Sequence, residues 1–136
     1  MSEPIFLSLA EVVEIHNELV EKFGGSHGVR DMGLLESAVS MPQASFGGKY
    51  LHATLFEMAA AYAFHIAENQ PFVDGNKRAA LASALTFLEM NGISLKDLRN
   101  RLYKAMMNVG KGQMTKKELA DVFRELAKRY GLNRPR

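Results

Sequence analysis

Two stretches, residues 53–69 and 77–90, carry apolar side chains on more than one helical face, and a short loop is all that separates them. In the first, Leu55, Phe56, Met58, Ala59, Tyr62, Ala63 and Ile66 cover too wide an arc for a helix resting on a surface. The second, Lys77 to Met90, is apolar nearly all round. Helices of this kind are buried on most sides, so other elements must wrap them.

The rest of the chain supplies helices for that purpose and almost no strand signal. Ser8 and Glu11 have the spacing of a capping box, and the helix behind them carries Val12, Ile15, Leu19 and Val20 before Gly24-Gly25 ends it. Ser26 to Arg30 reads as a glycine-punctuated loop. Asp31 caps a short helix with Leu34, Leu35, Ala38, Val39 and Met41 on its apolar side, and Pro42 stops it. Residues 43–51 read as irregular around Gly47-Gly48. Asn91-Gly92 ends the second central helix. Ser94 and Asp97 resemble another capping box, predicting a helix from there to about Val109. Gly110-Lys111-Gly112 breaks it, and Thr115 with Glu118 opens a last helix to about Tyr130, followed by a basic tail. The predicted architecture is all-α: a compact bundle of about six helices in a single domain, 1–136, with two buried central helices joined by the loop at 70–76.

Composition narrows the classes of function. Apolar residues make up 47% of the 136, enough for a real core. Cysteine is absent, which removes disulfides and thiolate chemistry. The N-terminal residues lack the basic-then-apolar order of a signal peptide, and the longest apolar-leaning run is far short of the roughly 20 residues a membrane span needs. A cytoplasmic protein without a membrane partner is expected. A net charge of +2 gives no support to direct nucleic-acid binding.

The loop itself, QPFVDGNKR from Gln70 to Arg78, holds the chemistry-bearing residues. Gly75 permits a sharp turn and close approach of a ligand. The start of the next helix leaves N–H groups without intrahelical partners, and these suit an anion. Asn76 is placed to cap that helix or to donate its amide. Lys77 and Arg78 occupy the first turn, where cations oppose the helix dipole unless an anion or an acidic partner compensates. Arg78 is suited to clamp a phosphate with paired hydrogen bonds, and Asp74 to hold Mg²⁺. The plainer alternative is an ordinary Asp-Gly-Asn turn, with Lys77 and Arg78 solvated and paired to Asp74. Phe72 and Pro71 read as core anchors. His16, His52 and His65 lie on helical patterns and His27 in a glycine loop; none has the spacing of a metal motif, and each reads as structural or surface.

QPFVDGNKR resembles the signature loop of the Fic/Doc (death-on-curing) family, His-Pro-Phe-x-Asp-Gly-Asn-Gly/Lys-Arg, at every position but the first. GGSHGVRDMGLLESAVSMPQASFGG (24–48) resembles the stretch that precedes this loop in death-on-curing proteins, and AAYAFHIAEN and RAALASALTFLEMNG fit the flanking helices. The resemblance implies a compact helical bundle and transfer of part of a nucleoside triphosphate to a hydroxyl of a target protein. Lys77 resembles the Doc type, in which a toxin phosphorylates elongation factor Tu; a Gly there accompanies AMP transfer. It implies ATP or another nucleoside triphosphate and Mg²⁺ as cofactors. Asp74 would hold the ion, Gly75 and Asn76 would cradle phosphates through backbone and amide donors, and Lys77 and Arg78 would neutralise phosphate oxygens. Phe72 would anchor the loop, and residues 46–50 would form the flap that docks the target. The implied silencing partner is an antitoxin whose C-terminal segment fills a groove, since Thr115 and Glu118 have the wrong spacing for an internal inhibitory helix.

The departure is Gln70, which stands where the family has the histidine that takes the proton from the attacking hydroxyl. A glutamine amide cannot act as a general base near neutrality. Binding without turnover is therefore the alternative reading: a non-catalytic nucleotide- or antitoxin-binding protein. Gln70 is open to two origins, a natural variant or a substitution that lets a toxic chain be produced.

Overall fold

The structure, a computed structural model, describes residues 3–97 and 99–129. Six α-helices, α1 (Leu9–Phe23), α2 (Met32–Ser40), α3 (Leu55–Asn69), α4 (Asn76–Met90), α5 (Arg101–Gly110) and α6 (Lys116–Arg129), are joined by short connections. A 3₁₀ turn (Met41–Gln43) follows α2, and a hairpin of β1 (Ser45–Phe46) and β2 (Lys49–Tyr50) precedes α3. The expected all-α bundle is therefore present, and α3 and α4 are its centre. α3 packs most extensively on α4, then on α6 and α2, while α1 and α5 cover α4. The buried residues form one continuous cluster, with Tyr62, Phe72, Phe87 and Phe123 among its largest members.

Local chemistry explains most helix ends. The Ser8 hydroxyl accepts from the Glu11 N–H at 3.1 Å while the Glu11 carboxylate accepts from the Ser8 N–H at 2.8 Å. The same reciprocal pair forms between Thr115 and Glu118, and between Thr54 and Glu57, where the identical spacing went unread in the sequence. Each such cap contributes about 1 kcal/mol. The extended N-terminal segment is tied to the centre twice. The Leu7 N–H donates to the Tyr62 hydroxyl at 2.8 Å, and burial pushes that phenol up to about 12. The Asn91 side chain brackets Ile5, accepting its N–H at 2.9 Å and donating to its carbonyl at 3.0 Å.

Three expectations need correction. Ser94 and Asp97 do not open a helix; α5 starts at Arg101, behind Arg99 and Asn100 in left-handed conformations. Burial explains it, because Ile93 enters the core and Leu95 packs against it, which holds the chain off a helical path. Asp97 instead accepts from the N–H of Leu102, the second residue of α5. Pro42 stops α2 as expected: the helix ends at Ser40 with Met41 as its C-cap, and the proline is buried inside the 3₁₀ turn that follows. Residues 45–50 are not irregular: Gly47 and Gly48, both at positive φ (59° and 80°), close a tight antiparallel hairpin. His52, read as part of a helical pattern, precedes α3. The basic tail, 131–136, lies outside the described residues.

Candidate active site

The loop between α3 and α4 is fixed from both sides. α3 is capped by Gln70, whose backbone turns left-handed (φ 48°, ψ 56°) while its N–H donates to the Ile66 carbonyl at 3.1 Å. The Arg30 guanidinium then takes the free carbonyls of the helix end, donating to Gln70 O at 2.7 and 2.9 Å and to Asn69 O at 3.1 Å. A cation there also complements the helix dipole. The segment 28–31 pairs with the loop like a short strand. The N–H groups of Arg30 and Asp31 donate to Pro71 O, and that of Val73 donates to Gly28 O at 3.0 Å. The glycine-punctuated stretch ahead of α2 is thus the loop's second wall, a role its sequence did not announce.

Within the loop, Asn76 turns inward. Its Oδ1 accepts from the Phe72 N–H at 2.9 Å and its Nδ2 donates to the Phe72 carbonyl at 3.0 Å. The amide expected to face a ligand is thereby engaged in holding the loop, and what Asn76 leaves for an anion is its backbone N–H. Phe72 itself is 1% exposed, in keeping with its reading as the anchor.

The other face of the loop is open. Gly75 sits at the N-cap of α4 in a left-handed conformation (φ 74°, ψ 27°), with no side chain capping the helix. The N–H groups of Asn76, Lys77 and Arg78 thus lie in the first turn without intrahelical acceptors, and the positive end of the helix dipole is uncovered. The Asp74 carboxylate lies beside them, exposed, with Oδ1 accepting from the Gly75 N–H at 2.9 Å and Oδ2 from the Ser26 N–H at 3.2 Å. Each oxygen keeps lone-pair capacity for a cation. The approach at Gly25 is tight: a Cβ there would lie 2.8 Å from Asp74 Oδ2.

The two cations of the first turn are held apart. The Arg78 guanidinium lies over the ring of Phe23, 4.9 Å from its centroid, a cation–π contact at the end of α1. Lys77 runs across the bare backbone of Gly110, where a Cβ would come 2.5 Å from its Cε. Its ammonium thus sits near the C-terminal end of α5, where carbonyls favour positive charge. Both residues are exposed, and neither is shown paired to Asp74 as the plain-turn reading supposed.

His16 was the residue that sequence reasoning undervalued. It is 1% exposed, lies between the buried Val12 and Val20 on the inner stripe of α1, and reaches the loop directly. A histidine at i+4 from one buried valine and i−4 from another was the available signal, since a polar group so placed must find a partner.

The remaining histidines lie elsewhere. His27 bonds Asn17 and Glu21 at the rim of an open hollow of about 600 Å³ along α1. Glu14, Glu18 and Glu21 line it, which is the wrong charge for a phosphate. His65, on α3, accepts from the Lys116 ammonium at 3.0 Å, and burial, then Lys116 and then His52, push its imidazole down to about 4. The unfolded imidazole takes its proton near 6.5. Between those values the unfolded chain binds the extra proton, so the His65 contribution is fully present above pH 6.5 and lost as pH falls to about 4. His52, also lowered by burial, acts in the same direction. His65→Gln is expected to flatten the fall in urea midpoint between pH 6.5 and 4; an unchanged pH profile would contradict the assignment.

Among the described residues no three His, Asp or Glu side chains converge to hold a metal by themselves, so an ion at Asp74 would need oxygens from a bound phosphate. No described helix is long and apolar enough to cross a membrane.

Comparison with known proteins points to one family. The sequence model of the Fic/DOC family matches residues 6–88, more than half of the chain. The chain is 32% identical over 120 residues to a protein kinase doc from Escherichia phage P1, covering 88% of this chain and 94% of that protein. It is 49% identical over 73 residues to a toxin Doc from Mycolicibacterium smegmatis. That alignment covers 54% of this chain and spans just over half, 56%, of the relative.

Proposed function

The chain belongs to the Fic/DOC family, and from that premise we propose that it is a Doc-type toxin acting in the cytoplasm. In this reading it transfers phosphate, or AMP, from ATP or another nucleoside triphosphate to a hydroxyl of a translation-related protein, elongation factor Tu being the first candidate. Gln70 leaves it attenuated. The observation that carries the reading is the uncapped start of α4 at Gly75 beside the exposed Asp74 carboxylate. Three outward N–H groups, a helix dipole and a carboxylate within one turn suit a magnesium-bound polyphosphate and little else of common chemistry.

In the Mechanism that follows from this arrangement, Asp74 would hold Mg²⁺ together with phosphate oxygens. The ion would supply charge neutralisation at the transferred group. The backbone at Gly75 and Asn76 would bind phosphate oxygens. Arg78 would leave the Phe23 face, or share it, to make paired hydrogen bonds. Lys77 would swing from the end of α5 as a point charge, and it favours phosphate over AMP transfer by likeness to the Doc type. Phosphoryl transfer depends chiefly on positioning and electrostatics, so these groups carry most of the catalysis that remains without a base. The hairpin of β1 and β2 would dock the target as an added strand, with Phe46, 82% exposed, as an apolar contact. A small antitoxin filling the groove beside the loop would silence the site.

A second reading, binding without turnover, is favoured by Gln70 alone. Calorimetry on the unaltered chain separates the anion-site assignment from both. Mg·ATP is expected to bind, and Arg78→Ala to weaken it by about tenfold, the value of one charge-assisted contact of roughly 1.5 kcal/mol. Equal affinity in the two chains, or no binding at all, removes the phosphate-loop assignment.

A further inference from the structure

His16 lies 58 positions from Asp74 in sequence, outside the QPFVDGNKR stretch, yet its side chain bonds the loop directly. Its Nε2 meets the backbone carbonyl of Asp74 at 2.7 Å. A carbonyl can only accept, so Nε2 carries the proton. The imidazole lies flat on the ring of Phe72, centroids 3.9 Å apart and planes 3° apart. That stack fixes the plane in which Nε2–H can aim, and the ring is buried, so water does not compete for the bond. Gly75 lies beside the same nitrogen, where a Cβ would stand 3.8 Å from it at ordinary contact distance.

The consequence follows from peptide geometry. In a trans peptide the C=O of one residue and the N–H of the next point in opposite directions. With the Asp74 carbonyl drawn inward to His16, the Gly75 N–H must face outward, and it does, toward the exposed Asp74 Oδ1. If this one peptide were reversed, a carbonyl oxygen would stand at the mouth of α4, opposing an anion, and the run of outward donors that begins at Gly75 would be broken. Gly75 has the backbone freedom to permit either orientation.

We propose that His16 is a positioning residue: it latches the Asp74–Gly75 peptide in the one orientation that opens the start of α4 to phosphate. Phe72 is the latch's guide, so the loop's own anchor positions the imidazole that in turn positions the loop. The functional consequence rests on the phosphate-site reading; the peptide orientation does not. His16 touches the loop backbone and not the reacting atoms, and the bond is available to the neutral Nε2–H tautomer and to the imidazolium alike.

Nuclear magnetic resonance on the ¹⁵N-labelled full chain, with and without Mg·ATP, tests it. In the unaltered chain His16 is expected as the Nε2–H tautomer with its Hε2 protected from exchange; the Nδ1–H tautomer would overturn the proposal without any mutation. His16→Leu, which keeps apolar bulk and removes the donor, is expected to displace the Gly75 amide resonance and weaken Mg·ATP about tenfold. His16→Gln, whose Nε2 can reach the same carbonyl, is expected to restore the resonance and to bring affinity within about threefold of the original. Thermal midpoints accompany both, because a merely structural histidine would not be rescued in affinity by glutamine. An unmoved Gly75 resonance in folded His16→Leu, or no recovery in folded His16→Gln, overturns the latch. If the unaltered chain binds no Mg·ATP, the phosphate reading fails and the tautomer and the Gly75 resonance still decide the orientation.

Discussion

Gln70→His is expected to raise transfer from nucleoside triphosphate to a protein hydroxyl by about 10²–10⁴-fold, the usual contribution of a positioned general base. The backbone at this position should accept the change. Residue 70 closes α3 in the left-handed region, and histidine is among the few non-glycine residues enriched there. The two carbonyls at the helix end are held by Arg30 whatever the side chain, so the exposed side chain can change while the loop path stays. Mg·ATP affinity should therefore move little, and the gain should be in the rate of the bound complex. The measurement is transfer of γ- or α-labelled phosphate to ribosome-associated proteins and translation factors, with growth inhibition on expression as the second readout. If the histidine chain transfers neither label and arrests no growth, the enzyme reading is wrong and binding without turnover stands. The label that moves distinguishes phosphate from AMP transfer.

The fold was legible wherever a local signal and the core agreed. Ser8 with Glu11 and Thr115 with Glu118 are read from spacing because both partners lie within one turn. The central pair α3 and α4 is read from apolar residues on more than one face. The same spacing at Ser94 and Asp97 misled, because a capping box is stabilised by about 1 kcal/mol while seating Ile93 in the core is worth more. The hairpin at 45–50 was missed for a different reason. Two residues per strand give no alternation to read, and only Gly47-Gly48 marked the turn.

The site was legible in one direction only. Asp74, Gly75, Lys77 and Arg78 fall within five consecutive residues, so sequence presents them together. What shapes them comes from afar: Arg30 on the α3 carbonyls, the Ser26 N–H on Asp74, Gly28 paired to Val73, and His16 on the Asp74 carbonyl. None of these contacts is closer than 39 residues in sequence, and no periodicity in a single chain encodes such a pairing. Asn76 shows the limit most sharply. A residue type suited to capping, to a turn and to a ligand was all three on paper, and the fold uses its amide to close the loop.

Phe72→Ala is expected to cost about 3–5 kcal/mol, as for other large-to-small aromatic changes in a core. The ring is 1% exposed, and its removal also takes away the parallel stack on His16, itself worth about 0.5–1.5 kcal/mol. Against the 5–15 kcal/mol of a typical domain, the variant should be folded but marginal. Its urea midpoint is the measurement, and a loss below about 1 kcal/mol would show that the ring is not the anchor. Function should fail in parallel, because an imidazole without its guide no longer aims at the Asp74 carbonyl. Phe72→Leu separates the two roles: it refills much of the cavity and recovers stability, but it offers no flat face to the imidazole. Mg·ATP binding should then stay weakened in a chain that is again stable. Recovery of both together would mean that Phe72 serves the site only by filling space.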